Sequence, residues 1–297
     1  MKILKEEGVF SESDSDFSEF NRRRFDDNKP SVTVDNVILR FTNKSSNNYR
    51  KLAEKKLQVC LIKREYSPFE NTFAVPGSFI DLKLPLSVSA KKCVQDKTGL
   101  SNFYYEQLYT FGDKQRDPRE RVLSVAYLIL TNNEEQTSNG QWFDIDTDMQ
   151  DIVLTETSTG YIQTQDINIK LICDDIILNN EIQVYFEKKN LEEIKDVKVL
   201  KSDLAFDHVK ILYFALERLK NKIEYTDVIF NLLPKNFTLT ELKLCFEAIL
   251  HEKLLDANFR RKIKSKVKPV DDFDKEKGHR PSRLFTHNIS WKLNNLE

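Results

Sequence analysis

From Asp207 the hydrophobic period of this chain changes, and that change limits the folds open to it. Before it, apolar residues come in short runs of strand type. After it, they recur at helical spacing. Ser31 to Phe41 (SVTVDNVILRF) and Lys56 to Lys63 (KLQVCLIK) are rich in branched residues and predict strands. Arg121 to Leu130 (RVLSVAYLIL) is almost continuously apolar, which predicts a central strand, and Phe103 to Phe111 a further one. Between them, Leu86, Ala90, Cys93 and Val94 lie near 3.6-residue spacing, predicting a helix over Leu86 to Thr98 with Gly99 as its C-cap. Asn132 to Gly140 is a polar loop, and Trp142-Phe143 begins another packed segment. Ile167 to Ile177 and Glu181 to Phe186 alternate as strands, with a turn expected at Asn179-Asn180. Strand, helix, strand and then more strands predict a mixed α/β domain.

Beyond the change, Val209, Leu212, Leu216 and Leu219 mark a helix over Asp207 to Asn221. Tyr225 to Leu233 is a shorter one, with Thr226 as a candidate N-cap. Thr238 to Leu250 is the clearest helix, because Thr238 and Glu241 have capping-box spacing. Asn258 to Lys266 is a short helix, residues 271–278 a charged turn ending in Gly278, and Ser282 to Ile289 the close of a hairpin. Helices followed by a small hairpin are the ingredients of a winged helix-turn-helix. The chain therefore divides into a polar lead over 1–30, an α/β domain over 31–202 and a helical domain over 203–297.

Charge follows the same division. Residues 1–200 carry 27 Lys or Arg against 33 Asp or Glu, whereas residues 201–297 carry 19 against 14. A polyanion is expected to meet the basic back. No run of 18 apolar residues exists, so no membrane partner is expected. The start, MKILKEEGVFSESDSD, turns acidic before an apolar core of signal-peptide length. Cys60, Cys93, Cys173 and Cys245 form no CxxC pair, and only four histidines are present. These counts disfavour structural zinc, a disulfide framework and a histidine-rich metal site, and make a reducing, cytoplasmic setting the default.

Val75 to Leu100, VPGSFIDLKLPLSVSAKKCVQDKTGL, resembles the Nudix box, a loop-helix-loop that holds divalent metal against a diphosphate. With Gly99-Leu100 at the final Gly-apolar pair, the box arginine falls on Lys92, its first glycine on Ser78 and its early glutamate on Leu84. Pro76-Gly77 keeps the entry to the loop. Three helix glutamates bind magnesium in active relatives; those positions are Cys93, Asp96 and Lys97 here. Hard magnesium prefers oxygen ligands, and a lysine puts positive charge where the ion would sit. No catalytic residues, metal or cofactor are therefore expected. Lys91, Lys92 and Lys97 can attract phosphate directly, or simply belong to a charged helix face. Arg116 to Tyr127, RDPRERVLSVAY, looks like the strand entry of the ADP-ribose-related branch. Arg116, Arg119 and Arg121 are candidate phosphate contacts, since guanidinium forks match phosphate oxygens; alternatively, Asp117 and Glu120 pair with them in a structural loop. With Gly77, Ser78 and Lys92 they make the expected effector site.

Asp203 to Leu250, together with Asn258 to Lys262 and Gly278 to Leu284, resembles the second domain of Nudix-related transcriptional regulators, which join a degenerate Nudix-like domain to a winged helix-turn-helix. The resemblance covers roughly residues 31–130 and 203–287. It implies an α/β fold with a Nudix-like mixed sheet, flanking helices and a C-terminal winged helix-turn-helix. It also implies a homodimer that binds double-stranded DNA, senses ADP-ribose or a related phosphorylated metabolite, and controls NAD or pentose metabolism. Six basic residues and no acidic one lie between Ala257 and Lys268. Arg260, Arg261 and Lys264 are candidate groove contacts, with Phe259 and Ile263 packing beneath. Thr238 and Thr240 can meet phosphate at a helix N-terminus, and Arg280 and Arg283 sit on or beside the wing. The alternative is an ADP-ribose pyrophosphatase of Nudix type, with magnesium held by Glu106, Asp113, Asp117 or Glu120.

Overall fold

In the computed structural model, which describes residues 29–43, 55–133, 137–274 and 282–290, one mixed sheet organises most of the chain. Its strands are β1 (Ser31–Asn43), β2 (Lys55–Lys63), β3 (Phe73–Ala74), β4 (Gly77–Phe79), β5 (Tyr104–Phe111), β6 (Val122–Leu130), β7 (Gly140–Met149), β8 (Val153–Thr157), β9 (Gly160–Cys173), β10 (Ile176–Lys189) and β11 (Glu192–Ser202). The order is β11-β10-β9-β7-β2-β1-β6-β5, with β3 on β2, β4 on β1 and β8 on β9. β1 and β6 pair in parallel, Ser31 opposite Val122; the other pairs are antiparallel.

The near-continuous apolar run of β6 reflects burial on both faces. Val125, Tyr127 and Ile129 join Val34 and Ile38 under α1 (Leu86–Thr98), against its Ala90, Cys93 and Val94. Leu128 and Leu130 join Val37, Leu39 and Phe41 on the opposite face. There the core continues without a break into α2 (His208–Tyr225), through Val209, Leu212 and Leu219, and into α3 (Leu239–Leu250), through Leu242, Cys245 and Phe246.

Two sequence expectations are corrected. Asn179-Asn180 is not a turn but lies inside β10, and the reversal is at Asp174-Asp175. The amide of Asn180 is satisfied across strands: its Nδ2 donates to Ile169 O at 3.1 Å, and its Oδ1 accepts from Ser202 Oγ at 2.8 Å. Residues 225–233 are the end of α2 and a 3₁₀ turn, Val228–Leu232, not a separate α-helix. Residues 131–202, longer than the resemblance accounts for, widen the sheet through the long antiparallel run β9-β10-β11.

The C-terminal part adds β12 (Phe237–Thr238), α4 (Asp256–Ile263), β13 (Val267–Asp274) and β14 (Ser282–His287), in a small sheet ordered β12-β14-β13. Residues 271–274, expected in a turn, extend β13; Gly278 and the lead up to residue 28 lie outside the described residues. The capping box of α3 is complete: Glu241 N donates to Thr238 Oγ1 at 3.1 Å, and Thr238 N to Glu241 Oε2 at 3.0 Å. Thr238→Ala is expected to cost about 1 kcal/mol, read as a lower urea midpoint at unchanged slope.

Candidate functional site

A cavity of about 390 Å³ opens between β4, the β5–β6 connection and the head of α2. Its entry depends on a close approach. Gly77 lies opposite Asp35 in the β1–β4 pair, and a Cβ on it would stand 2.1 Å from Asp35 Oδ1. Only glycine lets this backbone pass the carboxylate. Pro76 O is held by Asn36, through its backbone N at 2.9 Å and its Nδ2 at 3.1 Å.

Arg116 crosses from the cavity to α2. Its Nε donates to Asp207 Oδ2 at 3.1 Å and its Nη2 to Asp207 Oδ1 at 2.8 Å, with Asp35 Oδ2 3.6 Å away. The side chain is 5% exposed. Burial works against its charge, but the Asp207 hydrogen bonds and the Asp207 and Asp35 charges outweigh it and hold its pKa above the ordinary arginine value. Ser124 Oγ also donates to Asp35. Behind them His208 is buried, and that burial pushes its pKa below 6.5. Its Nδ1 accepts from Val75 N at 3.2 Å. The imidazole is thus neutral with its proton on Nε2, which faces Asp35 Oδ1 at 3.9 Å.

The cavity also takes in Ser78, Lys97, Arg64, Arg119 and Phe206. Arg119 is chelated by Asp117, with Nε to Oδ1 at 3.0 Å and Nη2 to Oδ2 at 2.7 Å. Phe206 holds φ at 54°, unusual for a bulky residue. Its ring packs 4.7 Å from Phe69 and 4.7 Å from the Arg64 guanidinium. Four cations, Arg64, Lys97, Arg116 and Arg119, face two carboxylates, Asp35 and Asp117, in the lining. Tyr66, Phe79 and Phe206 add ring faces. The structure thus brings Gly77, Ser78, Arg116 and Arg119 together. Lys92 and Arg121 are exposed and do not line the cavity. Sequence reasoning missed Arg64, Asp35, Phe206, Asp207 and His208, which no local spacing connects.

A second surface lies on the C-terminal helices. α4 buries Phe259 and Ile263 and leaves Arg260, Arg261 and Lys264 exposed. Phe259 meets Phe246 of α3 edge-on at 5.5 Å. Two of the six basic residues here are structural: Lys262 pairs with Glu224 of α2 at 3.0 Å, and Lys266 Nζ donates to Thr226 O at 3.0 Å. Thr240 is exposed in the first turn of α3, and Arg283 is exposed on β14. Thr238 corrects the expectation of a phosphate contact: it is 4% exposed and its hydroxyl is committed to the cap. Arg280 lies outside the described residues.

Residues 229–286 match the model of the NrtR DNA-binding winged helix domain. Over 232 residues the chain is 33% identical to the ADPR responsive transcriptional repressor NtrR of Acinetobacter baylyi, covering 77% of this chain and 75% of that one. The chain belongs to this family of Nudix-related transcriptional regulators. Its fold is shared with a MutT/nudix family protein from Enterococcus faecalis (TM-score 0.61, 23% identity, 93% of this chain and 94% of that one). It is shared too with Shewanella oneidensis NrtR complexed with a 27mer DNA (TM-score 0.59, 23% identity, 88% and 94%).

The Nudix fold implies a metal at the box helix, and the residues here do not fit one. Cys93 is buried under β1, and burial pushes its thiol up to about 11, so it is no thiolate. Lys97 lines the cavity, and Asp96 is exposed outside its lining. The other carboxylates are spoken for. Glu106 is held by Lys222 and Arg218, Asp113 by Lys210 at 3.1 Å, Asp117 by Arg119, and Glu120 by Ser31 Oγ at 2.5 Å. Among the described residues no three His, Cys, Asp or Glu side chains converge.

A pH dependence follows from His208. Its folded pKa lies below 6.5, so the unfolded chain takes up the proton first as pH falls. The contribution to stability is complete above 6.5 and shrinks as pH drops from there toward the folded pKa. Denaturant midpoints measured from pH 8 to pH 5 are expected to fall below pH 6.5. In His208→Gln the slope should be shallower but not flat, because His251 is depressed as well.

Proposed function

We propose that this protein is a DNA-binding transcriptional regulator that senses ADP-ribose or a closely related phosphorylated metabolite, and that it acts as a cytoplasmic homodimer on paired half-sites. The observation that carries the reading is the convergence of Arg64, Lys97, Arg116 and Arg119 on one cavity lined by exposed rings, with Asp35 and Asp117 as the carboxylates in its lining. Guanidinium and ammonium groups would hold the diphosphate, and an aromatic face suits the base. The arrangement favours a nucleotide sugar over a bare sugar phosphate. No metal enters: the cations take the place of one electrostatically, without activating water. On the DNA side, Arg260 and Arg261 are placed as groove readers. Lys264, Thr240 and Arg283, with Arg280 beside them in sequence, are placed as further contacts, mainly to phosphate.

Arg116 supports a route from effector to DNA. The guanidinium that lines the cavity is the one that grips Asp207 at the head of α2. A phosphate drawing on the same guanidinium competes with Asp207, and α2 shares one core with Phe259 and Ile263 of the α4 that presents Arg260 and Arg261. Binding at one end thereby biases the other.

Calorimetry with ADP-ribose tests the sensing, and binding should survive excess chelator. A strict need for magnesium would sink the metal-free reading. Coupling energies of this kind are typically about 1–3 kcal/mol, roughly 5- to 150-fold in affinity. Saturating ADP-ribose should therefore shift DNA affinity by a factor in that range. In Asp207→Asn, ADP-ribose should still bind while the shift in DNA affinity collapses toward one.

Fluorescence anisotropy with cognate and scrambled duplexes tests the DNA face. Replacing Arg260 or Arg261 by alanine should cost on the order of 1–3 kcal/mol at the cognate site where the arginine reads a base. It should instead lower the salt slope by about one unit on all DNA where it meets phosphate. Unchanged affinity and slope in both variants would remove α4 as the reader.

A further inference from the structure

A second cavity, of about 320 Å³, lies between β2, β7 and β9 on one side and α2 and α3 on the other, and shares no lining residue with the anion cavity. Its chemistry is different. The walls are aliphatic, with Leu57, Ile145 and Ile169 from the sheet facing Leu216, Leu244 and Ala248 from the helices. Four lysines in the lining are balanced by four carboxylates, where the anion cavity holds four cations against two. A balanced rim gives no preference for an anion or a cation. Tyr213 stands in the wall, largely buried, and its phenol hydroxyl makes no hydrogen bond to the described residues, which leaves it open to a solvent or ligand partner. The rim is pinned by Thr147 Oγ1 of β7 and His251 Nε2 at the end of α3, 3.1 Å apart, with His251 at φ 58°.

We infer that this cavity is a second effector site, for a neutral, mainly apolar molecule of about two rings in size carrying one hydrogen-bonding group that meets Tyr213. The size follows from volume: an apolar cavity of roughly 150 Å³ takes benzene, and this one is about twice that. The neutrality follows from the balanced rim, and the single polar group from the Tyr213 hydroxyl, which no described residue engages. Because one wall is the sheet and the other is α2 and α3, occupancy sets the spacing between them. It thereby acts on the same helices that Arg116 reaches from the other cavity.

Indole, two fused rings with one N–H, is the probe. Methyl-labelled full-length protein titrated with it should show saturable shifts at Ile169, Leu216 and Leu244, and none at Val122 in the anion cavity. Tyr213→Phe keeps the packing and should weaken binding by roughly 2- to 10-fold, the range for one net hydrogen bond. Ala248→Trp, which fills the space, should abolish it. No saturable shift up to the solubility of indole, or equal affinity in wild type and both variants, would overturn the site. The allosteric part rests on the DNA-binding reading above and has its own readout. Saturating indole should change the affinity for a duplex that the protein binds, and an unchanged affinity there would overturn it. Failure to bind any duplex would count against the DNA reading alone and leave the indole titration standing.

Discussion

A buried arginine holds this molecule's two functional regions in one piece. Arg116 sits among Asp207, Asp35 and the neutral His208, in a place nearly free of water. An ion in such a place is costly unless its hydrogen bonds are met, and removing one partner from a buried pair typically costs about 3–5 kcal/mol. Here the guanidinium is met by a bidentate carboxylate, and His208 satisfies the Val75 amide instead of competing for charge. The neutral state of that histidine is part of the device. A protonated ring would lose the acceptor that holds Val75, and would bring a second cation beside Arg116. The register of the loop that enters the cavity, the head of α2 and the sheet strand carrying Asp35 are thus fixed by one cluster.

The same cluster explains why the core has no seam between sheet and helices. α2 begins at the cavity and runs across the sheet, and its apolar side supplies Val209, Leu212 and Leu219 to the large core. Further on, Phe259 and Ile263 enter the same core as α2, so the helix that exposes Arg260 and Arg261 is packed against it; Glu224–Lys262 and the Lys266–Thr226 hydrogen bond lie beside that contact. A rigid body of this kind transmits a displacement at one end as a displacement at the other, because packed interiors do not deform smoothly. In the proposed route α2 is the lever, and the two cavities lie along it.

How much of this could be read from the chain depends on the range of each interaction. β6 was legible because burial on both faces leaves an unbroken apolar run. α1 was legible over the same residues the structure gives it, Leu86–Thr98, through its period and Gly99. The exposed arginines of α4 stood out as an acid-free stretch, though composition could not tell that Lys262 pairs with Glu224 and that Lys266 donates to Thr226 O. Thr238 was read both as a cap and as a phosphate contact, and one hydroxyl cannot serve both. Asn179-Asn180 had turn chemistry, but the cross-strand partners of Asn180 override a local preference. Asp207 lies 91 residues from Arg116, and only the topology of the sheet brings them together.

The box helix shows why a sensor of a diphosphate gains from losing its metal ligands. A bound magnesium does two things in this fold: it attracts the diphosphate and it generates a nucleophile from water. Lysine and arginine retain the first without the second. Lys97 occupies a position where active relatives keep a glutamate, so the charge that would recruit a metal is reversed and the attraction for phosphate becomes the protein's own. Affinity supplied in this way is spent on binding, and on the proposed reading occupancy tracks the ligand's concentration. A point charge on a flexible stem would hold the ligand and nothing more. A guanidinium shared with Asp207 makes the presence of the ligand an event felt by α2. On the proposed reading, Arg116 is the residue at which recognition becomes regulation, and Lys97 supplies charge where a metal ligand would stand.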